Sequence, residues 1–445
     1  MVFMARYFGT NGARGTIEEF PPSIAKKLAR GTAKYLGGGK ILVARDGRLT
    51  GALYHEAITS GLLEEGCHVI DLGQVTSPTA EFMIKKIKAN GLIIITASHN
   101  PPEYNGMKVV DRDGIAISKE RAEKIEELAE KITEPKKRGT MEKYENASED
   151  HISEIMKNVD VGKIRKRKPK LVLDCGNGMA SLITPQLFKR MGCEVVPINS
   201  HVDGNFPGRP SEPIEANVQD MLKLVKEIKA DAGIAWDGDA DRVAFANERG
   251  EYVIGDKVFA LSVLLKLKAE NKKAKVVTTV ATSLAIEDIA KKYGAEVVYT
   301  KIGAPYLCEE MIKGGTIGGE EVGGVIWPEI SLAKEGIYTA AKIVEALCEK
   351  PLSQWIAELP DYKNIKEKIV ADEKKKSEIV EKMREYAKKN NLDYIDKDGI
   401  RINYKDGWVI VRASGTENYV RIFAEAKTAE RAKQLINEHR KIIGE

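Results

Sequence analysis

Short apolar runs alternate with longer amphipathic stretches along most of this chain. The apolar runs predict buried strands, and the amphipathic stretches between them, such as 55–65 and 79–89, predict helices. The predicted strands are 41–44, 68–71, 92–96, 171–174, 194–198, 232–236, 276–280, 296–299 and 325–327. Strands that alternate with helices in this way are typical of βαβ units with mainly parallel sheets. Because this rhythm occurs in three successive blocks, we predict three related α/β domains.

The last part of the chain has a different pattern. A helix is predicted over 376–390, short strands follow it, and a second helix is predicted over 428–443. Charge runs and turns interrupt the pattern between blocks, so we predict four domains: 1–150, 151–250, 251–362 and 363–445. The predicted fold class is α/β, with three related domains of mixed, mainly parallel sheets. The fourth is a C-terminal α+β domain of about 80 residues, a length within the usual range for domains.

Composition and charge narrow the class of protein. The 445 residues carry 70 basic and 66 acidic side chains, a net charge of +4, which does not indicate a nucleic-acid-binding or membrane-surface protein. The chain is 43% apolar, enough for several cores, which excludes wholesale disorder. No apolar run is long enough to span a membrane, and the N-terminal residues do not read as a secretory signal. The five cysteines form no CxxC pair, so we expect a cytoplasmic protein without a disulfide framework.

The first candidate site is the segment Thr96-Ala-Ser-His-Asn-Pro101, directly after a predicted strand. Polar residues in this position lie at the carboxyl edge of a parallel sheet, where ligands usually bind. Ser98 is a candidate nucleophile or phosphate carrier, and His99 beside it is a candidate acid or base. Lys108 follows closely and could bring an ammonium group to the same edge. The alternative is a strand-to-loop turn in which the Ser, Asn and Pro side chains serve only geometry.

The second candidate site is Asp237-Gly-Asp-Ala-Asp-Arg242, after the predicted strand 232–236. Asp237, Asp239 and Asp241 are alternate carboxylates on a tight turn, and they can converge on one hard cation such as Mg²⁺. Without a cation, carboxylates so close together would repel one another. A solvated acidic turn is the alternative. An EF-hand loop does not fit, because its sixth position holds Arg242 instead of Gly and its flanks read as strands.

Three further segments offer phosphate or sugar contacts. The glycines of 318–324 permit close backbone approach, and Glu320 among them could accept hydrogen bonds from hydroxyl groups. The segment 412–417, with a second arginine nearby, has the donors of a phosphate cradle. Arg14 and Arg48 lie near predicted sheet edges. Each of these segments can also be interpreted as an ordinary turn.

Taken together and in this order, these motifs resemble those of the α-D-phosphohexomutase family. That family includes phosphoglucomutase/phosphomannomutase and phosphoglucosamine mutase. The resemblance covers nearly the whole chain, and its most specific part is the pair of segments 96–101 and 237–242. It implies four domains around a central cleft. It also implies a phosphoserine at Ser98, with Mg²⁺ bound by its phosphate and by Asp237, Asp239 and Asp241.

The same resemblance implies roles for the surrounding residues and a reaction. Four side chains would surround the reacting phosphoryl group: Arg14, His99, Lys108 and Arg242. Glu320 would contact sugar hydroxyls, and the remote phosphate of the substrate would be held by Arg412, Ser414, Gly415, Thr416 and Arg421. The implied activity is a Mg²⁺-dependent interconversion of hexose 1-phosphate and hexose 6-phosphate, of glucose or mannose. Sugar phosphates are the implied partners, a sugar bisphosphate is the implied intermediate and activator, and a homo-oligomer is left open.

The chain departs from the family pattern at four places, three of them in the third predicted domain. Val322 and Gly324 stand where many members have Ser or Asn and sometimes His, and Ala304 replaces a more usual Asp or His. The segment 334–336 (Lys-Glu-Gly) replaces a common Asp-Gly, and Asn418 replaces a Pro. These differences affect the sugar more than the reaction type, so phosphoglucosamine mutase and phosphopentomutase activities are alternatives.

Two function classes other than a mutase also remain open. The first is a phosphatase that uses Asp237 or Asp239 as its nucleophile. It would leave the segments 96–101 and 412–417 without a role, and it predicts release of inorganic phosphate. The second is a non-catalytic protein that binds sugar phosphate or Mg²⁺ and never carries phosphate on Ser98.

Overall fold

The computed structural model describes residues 7–9, 12–132, 134, 138–270, 273–414 and 418–445. Within these residues the strands form four sheets, with helices packed against them. The sheets follow one another along the chain, and each uses strands from one continuous stretch of sequence.

The first sheet is built from the N-terminal part of the chain. Its strands are β1 (Phe8–Gly9), β2 (Gly12–Gly15), β3 (Lys40–Arg45), β4 (His68–Gln74), β5 (Gly91–Ile95), β6 (Asn105–Asp111) and β7 (Thr140–Lys143). Its helices are α1 (Pro22–Leu36), α2 (Gly51–Glu64), α3 (Ser77–Ile87) and α4 (Lys119–Glu130). The strand order is β1-β2-β6-β5-β3-β4-β7. Apolar side chains of α1, α2 and α4 bury one face of this sheet, and those of α3 bury the other.

The second sheet follows two linking helices, α5 (Ala147–Lys157) and α6 (Val161–Arg167). Its strands are β8 (Lys170–Asp174), β9 (Glu194–Ile198), β10 (Ala232–Trp236), β11 (Val243–Ala246) and β12 (Tyr252–Val253). Helices α7 (Thr184–Met191) and α8 (Gln219–Glu227), with short 3₁₀ turns at Met179–Leu182 and Glu215–Asn217, connect them. The strand order is β12-β11-β10-β8-β9.

The third sheet shares a continuous apolar core with the second. It begins after helix α9 (Gly255–Ala269) and contains β13 (Lys275–Thr279), β14 (Glu296–Thr300), β15 (Ile317–Gly319) and β16 (Val325–Ile326), in the order β14-β13-β15-β16. Its other helices are α10 (Ala285–Lys292), α11 (Ala304–Met311), α12 (Gly336–Leu347) and α13 (Leu352–Ala357).

One four-strand unit recurs in these three sheets. In each, the first strand pairs in parallel with the second and the third, and the fourth is antiparallel to the third. The units are β3-β4-β5-β6, β8-β9-β10-β11 and β13-β14-β15-β16. This shared topology agrees with the prediction of three related α/β domains.

The fourth sheet is antiparallel throughout its described pairs. Its strands are β17 (Lys363–Val370), β18 (Tyr394–Asp396), β19 (Ile400–Tyr404), β20 (Gly407–Ala413) and β21 (Tyr419–Ala426), in the order β17-β21-β20-β19-β18. Helices α14 (Glu373–Lys389) and α15 (Ala429–Ile443) cover its apolar face. The side chains of Asp372 and Thr428 accept hydrogen bonds from backbone N–H groups and so cap these two helices.

The predicted fold class is confirmed, and the predicted elements differ from the structure only by a few residues at their ends. The predicted helix over 55–65, for example, begins at Gly51 and ends at Glu64. The predicted strands do not include the short strands β1, β2, β7, β11 and β12, nor β6, β15 and β17. Strand β15 has two glycines in three residues and therefore gives no apolar pattern.

Candidate active site

Three loops occupy the same position in the repeated unit, between its third strand and its antiparallel fourth strand. They are 96–104 after β5, 237–242 after β10, and 320–324 after β15. Each follows the carboxyl end of a strand in a parallel pair, the edge at which α/β sheets usually bind ligands. Ser98, the three aspartates and Glu320 lie on these loops.

The loop that carries Ser98 is fixed by a buried arginine. The guanidinium of Arg48 donates hydrogen bonds of 2.6–2.8 Å to four loop carbonyls, those of Ser98, Asn100, Pro101 and Tyr104. Asp46 accepts from Arg48 Nε at 3.1 Å and from Thr96 Oγ1 at 2.7 Å. Ser98 has a φ of 50°, a left-handed conformation that residues other than glycine rarely adopt. Arg48, which the sequence placed only near a sheet edge, therefore holds Ser98 in a strained conformation.

The Ser98 loop lies directly against the aspartate loop. The Ser98 hydroxyl donates to Asp237 Oδ2 at 2.8 Å. A Cβ atom at position 238 would lie 2.7 Å from the Ser98 carbonyl oxygen, so only glycine allows this approach. Ser77, at the start of α3, donates its hydroxyl to Asp239 Oδ2 at 2.7 Å and its N–H to the Asp239 carbonyl at 2.9 Å. These contacts set the position of the serine relative to the carboxylates.

Asp237, Asp239 and Asp241 form a buried cluster. Each residue is at most 2% exposed, and one oxygen from each lies within 4.8 Å of the others. Burial and the two neighbouring carboxylates raise the pKa of Asp237 well above its usual range. Burial would also raise the pKa of Asp241, but nearby cations, Lys334 above all, lower it below its usual value. The sequence prediction that the three side chains converge agrees with this geometry.

The cluster has the properties of a site for a hard cation. Asp239 Oδ1 and Asp241 Oδ1 are buried and have no hydrogen-bond partner among the described residues. Buried carboxylate oxygens without partners are costly, and oxygen atoms are the ligands that Mg²⁺ prefers. The residues present therefore fit a bound divalent cation.

Two basic side chains lie next to the cluster. The backbone N–H of Arg242 donates to Asp237 Oδ1 at 3.1 Å, and the side-chain Nε of the same residue lies 3.9 Å from Asp241 Oδ1. Lys108, on β6, has its Nζ 2.6 Å from Glu81 Oε1 of α3, and both side chains are nearly fully buried. Burial raises the pKa of Glu81 to about 7. Burial would lower the pKa of Lys108, but Glu81 and the aspartates raise it, so the lysine stays charged.

Arg14 and His99 complete the predicted surroundings of Ser98. Arg14 donates to Asn100 Oδ1 at 3.3 Å, and burial lowers its pKa. Burial, with the positive charges of Arg242 and Arg14, lowers the pKa of His99 to about 3. The imidazole is therefore neutral near pH 7. Its Nδ1 is buried and has no hydrogen-bond partner among the described residues, so it can accept a hydrogen bond.

A buried lysine joins Glu320 to the carboxylate cluster. Lys334 Nζ lies 3.2 Å from Glu320 Oε1 and 3.3 Å from Asp241 Oδ2, and the residue is 3% exposed. Burial would lower its pKa, but these two carboxylates raise it above the usual value. From the sequence, Lys334 is only a departure from the family pattern, and no role was predicted for it. Glu335, beside it, caps α12 by accepting from two backbone N–H groups at 3.1 Å.

The predicted phosphate cradle consists of the segment 412–417 and Arg421, and along the chain it spans the end of β20 and the start of β21. Arg412 and Arg421 are directly opposite each other in this antiparallel pair, an arrangement that is destabilising without a compensating negative charge. Arg412 Nε donates to Asp398 Oδ1 at 2.8 Å, and Arg421 donates to the Tyr419 hydroxyl at 2.9 Å. The predicted residue Ser414 is 5% exposed. The predicted residues Gly415 and Thr416 lie outside the described residues.

Comparison with known proteins covers nearly the full length of the chain. Models of the phosphoglucomutase/phosphomannomutase α/β/α domains I, II and III match residues 5–136, 149–250 and 254–362, and the model of the C-terminal domain matches 367–442. The chain belongs to the phosphoglucomutase/phosphomannomutase family. This confirms the family that the sequence motifs resemble.

Individual members of the phosphoglucomutase/phosphomannomutase family give the same result. A protein of Thermococcus kodakarensis named phosphoglucomutase/phosphomannomutase is 42% identical, with 99% of both chains covered. A "Probable phosphoglucosamine mutase" of Methanopyrus kandleri is 39% identical, with 99% of this chain and 98% of the relative covered. The crystal structure of a phosphoglucomutase/phosphomannomutase family protein of Burkholderia thailandensis matches with a TM-score of 0.88 at 26% identity, covering 98% of this chain and 96% of that one. The chain is a phosphomutase, as predicted.

Three buried charged residues of this phosphoglucomutase/phosphomannomutase family member were not assigned their part in the site from the sequence. They are Arg48, which holds the Ser98 loop, and Glu81 and Lys334. A signal existed for Glu81, because it is the only charged residue in the stretch 78–84 of its helix. Arg48 and Lys334 lie in loops, where periodicity carries no information. In the described ranges, no helix has the length and apolar content needed to cross a membrane.

Proposed function

We propose that this phosphomutase interconverts the 1-phosphates and 6-phosphates of glucose and mannose, using a phosphoserine at Ser98 and Mg²⁺. The observation that carries the proposal is the 2.8 Å hydrogen bond from the Ser98 hydroxyl to Asp237 inside the buried carboxylate cluster. A hydroxyl that faces a cation site, on a loop held in a strained conformation, is well placed to carry a phosphoryl group.

In the proposed reaction, phosphorylated Ser98 gives its phosphoryl group to a free hydroxyl of a sugar monophosphate. The resulting bisphosphorylated sugar reorients in the site, so that its other phosphate faces Ser98, and it then transfers that phosphate to Ser98. Mg²⁺, held by Asp237, Asp239 and Asp241 together with the Ser98 phosphate, would offset negative charge on the transferring group.

Charged and neutral side chains around Ser98 have distinct proposed roles. Arg14, Arg242 and Lys108 supply positive charge to the phosphoryl oxygens. His99 is neutral and has a buried ring nitrogen without a partner among the described residues, so it is suited to accept a hydrogen bond from the attacking hydroxyl, while its low pKa makes it a weak proton acceptor. The Lys108 ammonium is paired with Glu81, which suits a fixed charge better than a proton acceptor.

Substrate binding is assigned to residues on either side of this centre. Glu320 would accept hydrogen bonds from sugar hydroxyls, with Lys334 holding its carboxylate in place. The remote phosphate would bind at Arg412, Ser414, Gly415, Thr416 and Arg421. The two opposed arginines support this assignment, because guanidinium groups offer positive charge and several N–H donors to a phosphate.

Glucosamine phosphate is the second candidate substrate. The relative named "Probable phosphoglucosamine mutase" is 39% identical, close to the 42% of the relative named phosphoglucomutase/phosphomannomutase. A coupled assay with the 1-phosphates of glucose, mannose, glucosamine and a pentose decides between them. We expect the glucose and mannose compounds to react with similar kcat/KM, and a preference of several orders of magnitude for another sugar would overturn the proposed substrate class.

The phosphoserine is tested by mass measurement. The protein is incubated with glucose 1,6-bisphosphate, and the intact mass and the phosphorylated peptide are determined for wild type, Ser98→Ala and Ser262→Ala. Ser262 is the matched control, because it is also a buried serine, but its hydroxyl donates to the carbonyl of Val258 within helix α9. We expect wild type and Ser262→Ala to gain one phosphate on Ser98, and Ser98→Ala to gain none.

The same experiment separates the other classes of function. Phosphate that never appears on Ser98 in active protein would exclude the phosphoserine mechanism. Release of inorganic phosphate in place of an isomerised sugar phosphate would indicate a phosphatase centred on Asp237 or Asp239. Binding of the bisphosphate without any transfer would indicate a non-catalytic binding protein.

A further inference from the structure

A short turn of the fourth sheet lies against the third sheet. It joins β18 to β19 and contains Asp398. Lys397 Nζ donates to the carbonyl of Tyr299 at 2.7 Å, and Arg401 donates to the carbonyls of Val280 and Thr282 at 3.0 and 3.3 Å. The turn is therefore fastened to the carboxyl ends of β13 and β14.

Asp398 uses both of its carboxylate oxygens in this arrangement. Oδ1 accepts from Arg412 Nε at 2.8 Å, within the fourth sheet. Oδ2 accepts from the backbone N–H of Ile302 at 3.0 Å, in the segment that leads from β14 into α11. One side chain thus contacts both the arginine of the phosphate cradle and the backbone of a loop of the third sheet.

The position of Asp398 is itself closely determined. Gly399, the next residue, has a φ of 75°, and a Cβ atom there would lie 2.3 Å from the Val411 carbonyl oxygen. A side chain at 399 would push the turn away from β20 and separate Asp398 from Arg412. The Asp398 and Arg412 side chains are 20% and 16% exposed, so their ion pair is partly shielded from water.

We propose that Asp398 is a positioning residue that anchors Arg412 of the phosphate cradle to the loop 301–303 and so fixes the orientation of its guanidinium for the remote phosphate. The proposal rests on the proposed function, because it takes Arg412 to hold the remote phosphate. Asp398 accepts a hydrogen bond from the Nε of Arg412 and so fixes the orientation of the guanidinium. The two terminal nitrogens of Arg412 do not take part in this hydrogen bond. A bidentate bond to phosphate needs such a fixed fork.

A carboxylate suits this position because two donors converge on it. Aspartate offers acceptor oxygens to both, whereas the isosteric asparagine offers one oxygen and one NH₂ group. In Asp398→Asn the NH₂ group would have to face one of the two N–H donors, either Arg412 Nε or the backbone N–H of Ile302. Two donors cannot form a hydrogen bond with each other, so one of the two contacts is lost. Asp398→Glu keeps the charge and both acceptor atoms and tests whether these suffice.

The experiment compares Asp398→Asn and Asp398→Glu with Asp396→Asn. Asp396 is a matched control, because it lies in the same hairpin and pairs with an arginine, Arg384, that is remote from the cradle. We expect Asp398→Asn to raise the KM for glucose 1-phosphate by about ten-fold to one hundred-fold. This is the size expected when Arg412 is no longer oriented and its charge-assisted hydrogen bond to the phosphate is lost. Phosphorylation of Ser98 by acetyl phosphate should not change. Asp398→Glu should recover part of the affinity, and Asp396→Asn should match wild type.

A double-mutant cycle with Arg412→Ala tests the route of the effect. If Asp398 acts through Arg412, Asp398→Asn should raise KM much less in the Arg412→Ala background than in wild type. Full additivity, or a KM equal to that of Asp396→Asn, would overturn the proposal. A fall in kcat and melting temperature at unchanged KM would also overturn it, since that is the signature of a purely structural role. Wild-type protein without mutase activity would instead refute the proposed function.

Discussion

Replacing Lys334 with methionine should destabilise the metal-free protein strongly and tighten its binding of Mg²⁺. The change removes a buried cation and keeps most of the side-chain volume, so packing is little altered. Lys334 Nζ lies 3.3 Å from Asp241 and 3.2 Å from Glu320. Without it, both carboxylates stay buried and lose their nearest ammonium group, while Arg242 Nε remains 3.9 Å from Asp241 Oδ1.

The size of the effect follows from these distances. At an effective dielectric constant of about 20, a charge pair at 3.3 Å attracts by about 5 kcal/mol. The cost of desolvation already opposes this attraction in the wild type, and removing one partner of a buried pair usually costs about 3–5 kcal/mol. We therefore expect a loss of about 4 kcal/mol for the metal-free protein, which is roughly 4 °C in Tm for a chain of this length.

Mg²⁺ should offset much of this loss. A divalent cation at the aspartates supplies the positive charge that Lys334 no longer provides, and it no longer encounters repulsion from the ammonium group. The Kd for Mg²⁺, measured by isothermal titration calorimetry, should fall by about ten-fold in Lys334→Met. Thermal melts with and without saturating Mg²⁺ should then differ more in the variant than in wild type.

Lys342→Met is the matched control for this prediction. Lys342 lies on α12 and pairs with Glu345 at 2.5 Å, but its side chain is 23% exposed, so the pair should contribute about 1 kcal/mol or less. Equal losses of stability in the two variants would refute the reasoning from burial. Weaker Mg²⁺ binding in Lys334→Met would show that the lysine supports the metal site instead of opposing the cation.

Three other changes test separate parts of the site. Asp239→Asn removes one negative charge at nearly constant size, so titration calorimetry should show weaker Mg²⁺ binding and turnover should fall; full activity in chelator would contradict the metal assignment. Arg412→Ala should raise the KM for sugar phosphates by about ten-fold to one hundred-fold, because a charge-assisted hydrogen bond contributes about 1.5–3 kcal/mol, with little change in Ser98 phosphorylation by acetyl phosphate. Because burial raises the pKa of Glu81 from 4.5 to about 7, the folded state favours its protonated form. This contribution to stability is present below about pH 4.5 and is lost as the pH rises through 7, so Tm should fall over this range in wild type and much less in Glu81→Gln.

The fold could be predicted largely from the sequence because its strands are apolar and its helices amphipathic. The run Leu-Ile-Ile-Ile of β5 and the run Leu-Val-Leu of β8 are buried on both faces, so their pattern is unambiguous. Strand β15 lacked such a signal because glycine has no side chain to form a pattern. The fourth strand of the first unit, β6, contains Lys108, whose burial depends on Glu81 of a distant helix.

The candidate site could be predicted only where one loop carries its own chemistry. The aspartates share one turn, so their spacing alone predicted that they converge. The contacts of Lys334 with Asp241 and of Ser77 with Asp239 join residues that are 93 and 162 positions apart, and no local pattern indicates such pairs. His99 shows the same limit, because its low pKa comes from burial and from arginines on other strands and loops.

Phosphorylation of Ser98 should strengthen Mg²⁺ binding, because the charges of the site are nearly balanced before either group arrives. Around the aspartates lie the buried cations Arg14, Lys108, Arg242 and Lys334, and the acidic partners Glu81 and Glu320. A phosphoryl group adds about 1.5–2 negative charges, and in a buried site such a charge is costly unless it is compensated. A divalent cation compensates it almost fully, so each group should favour the other, and linkage requires the two effects to be equal. Calorimetry of phosphorylated and dephosphorylated protein should show a Kd for Mg²⁺ at least about ten-fold lower in the phosphorylated form. Equal affinities would mean that the four cations already compensate the phosphate, and that the aspartates bind the metal without its help.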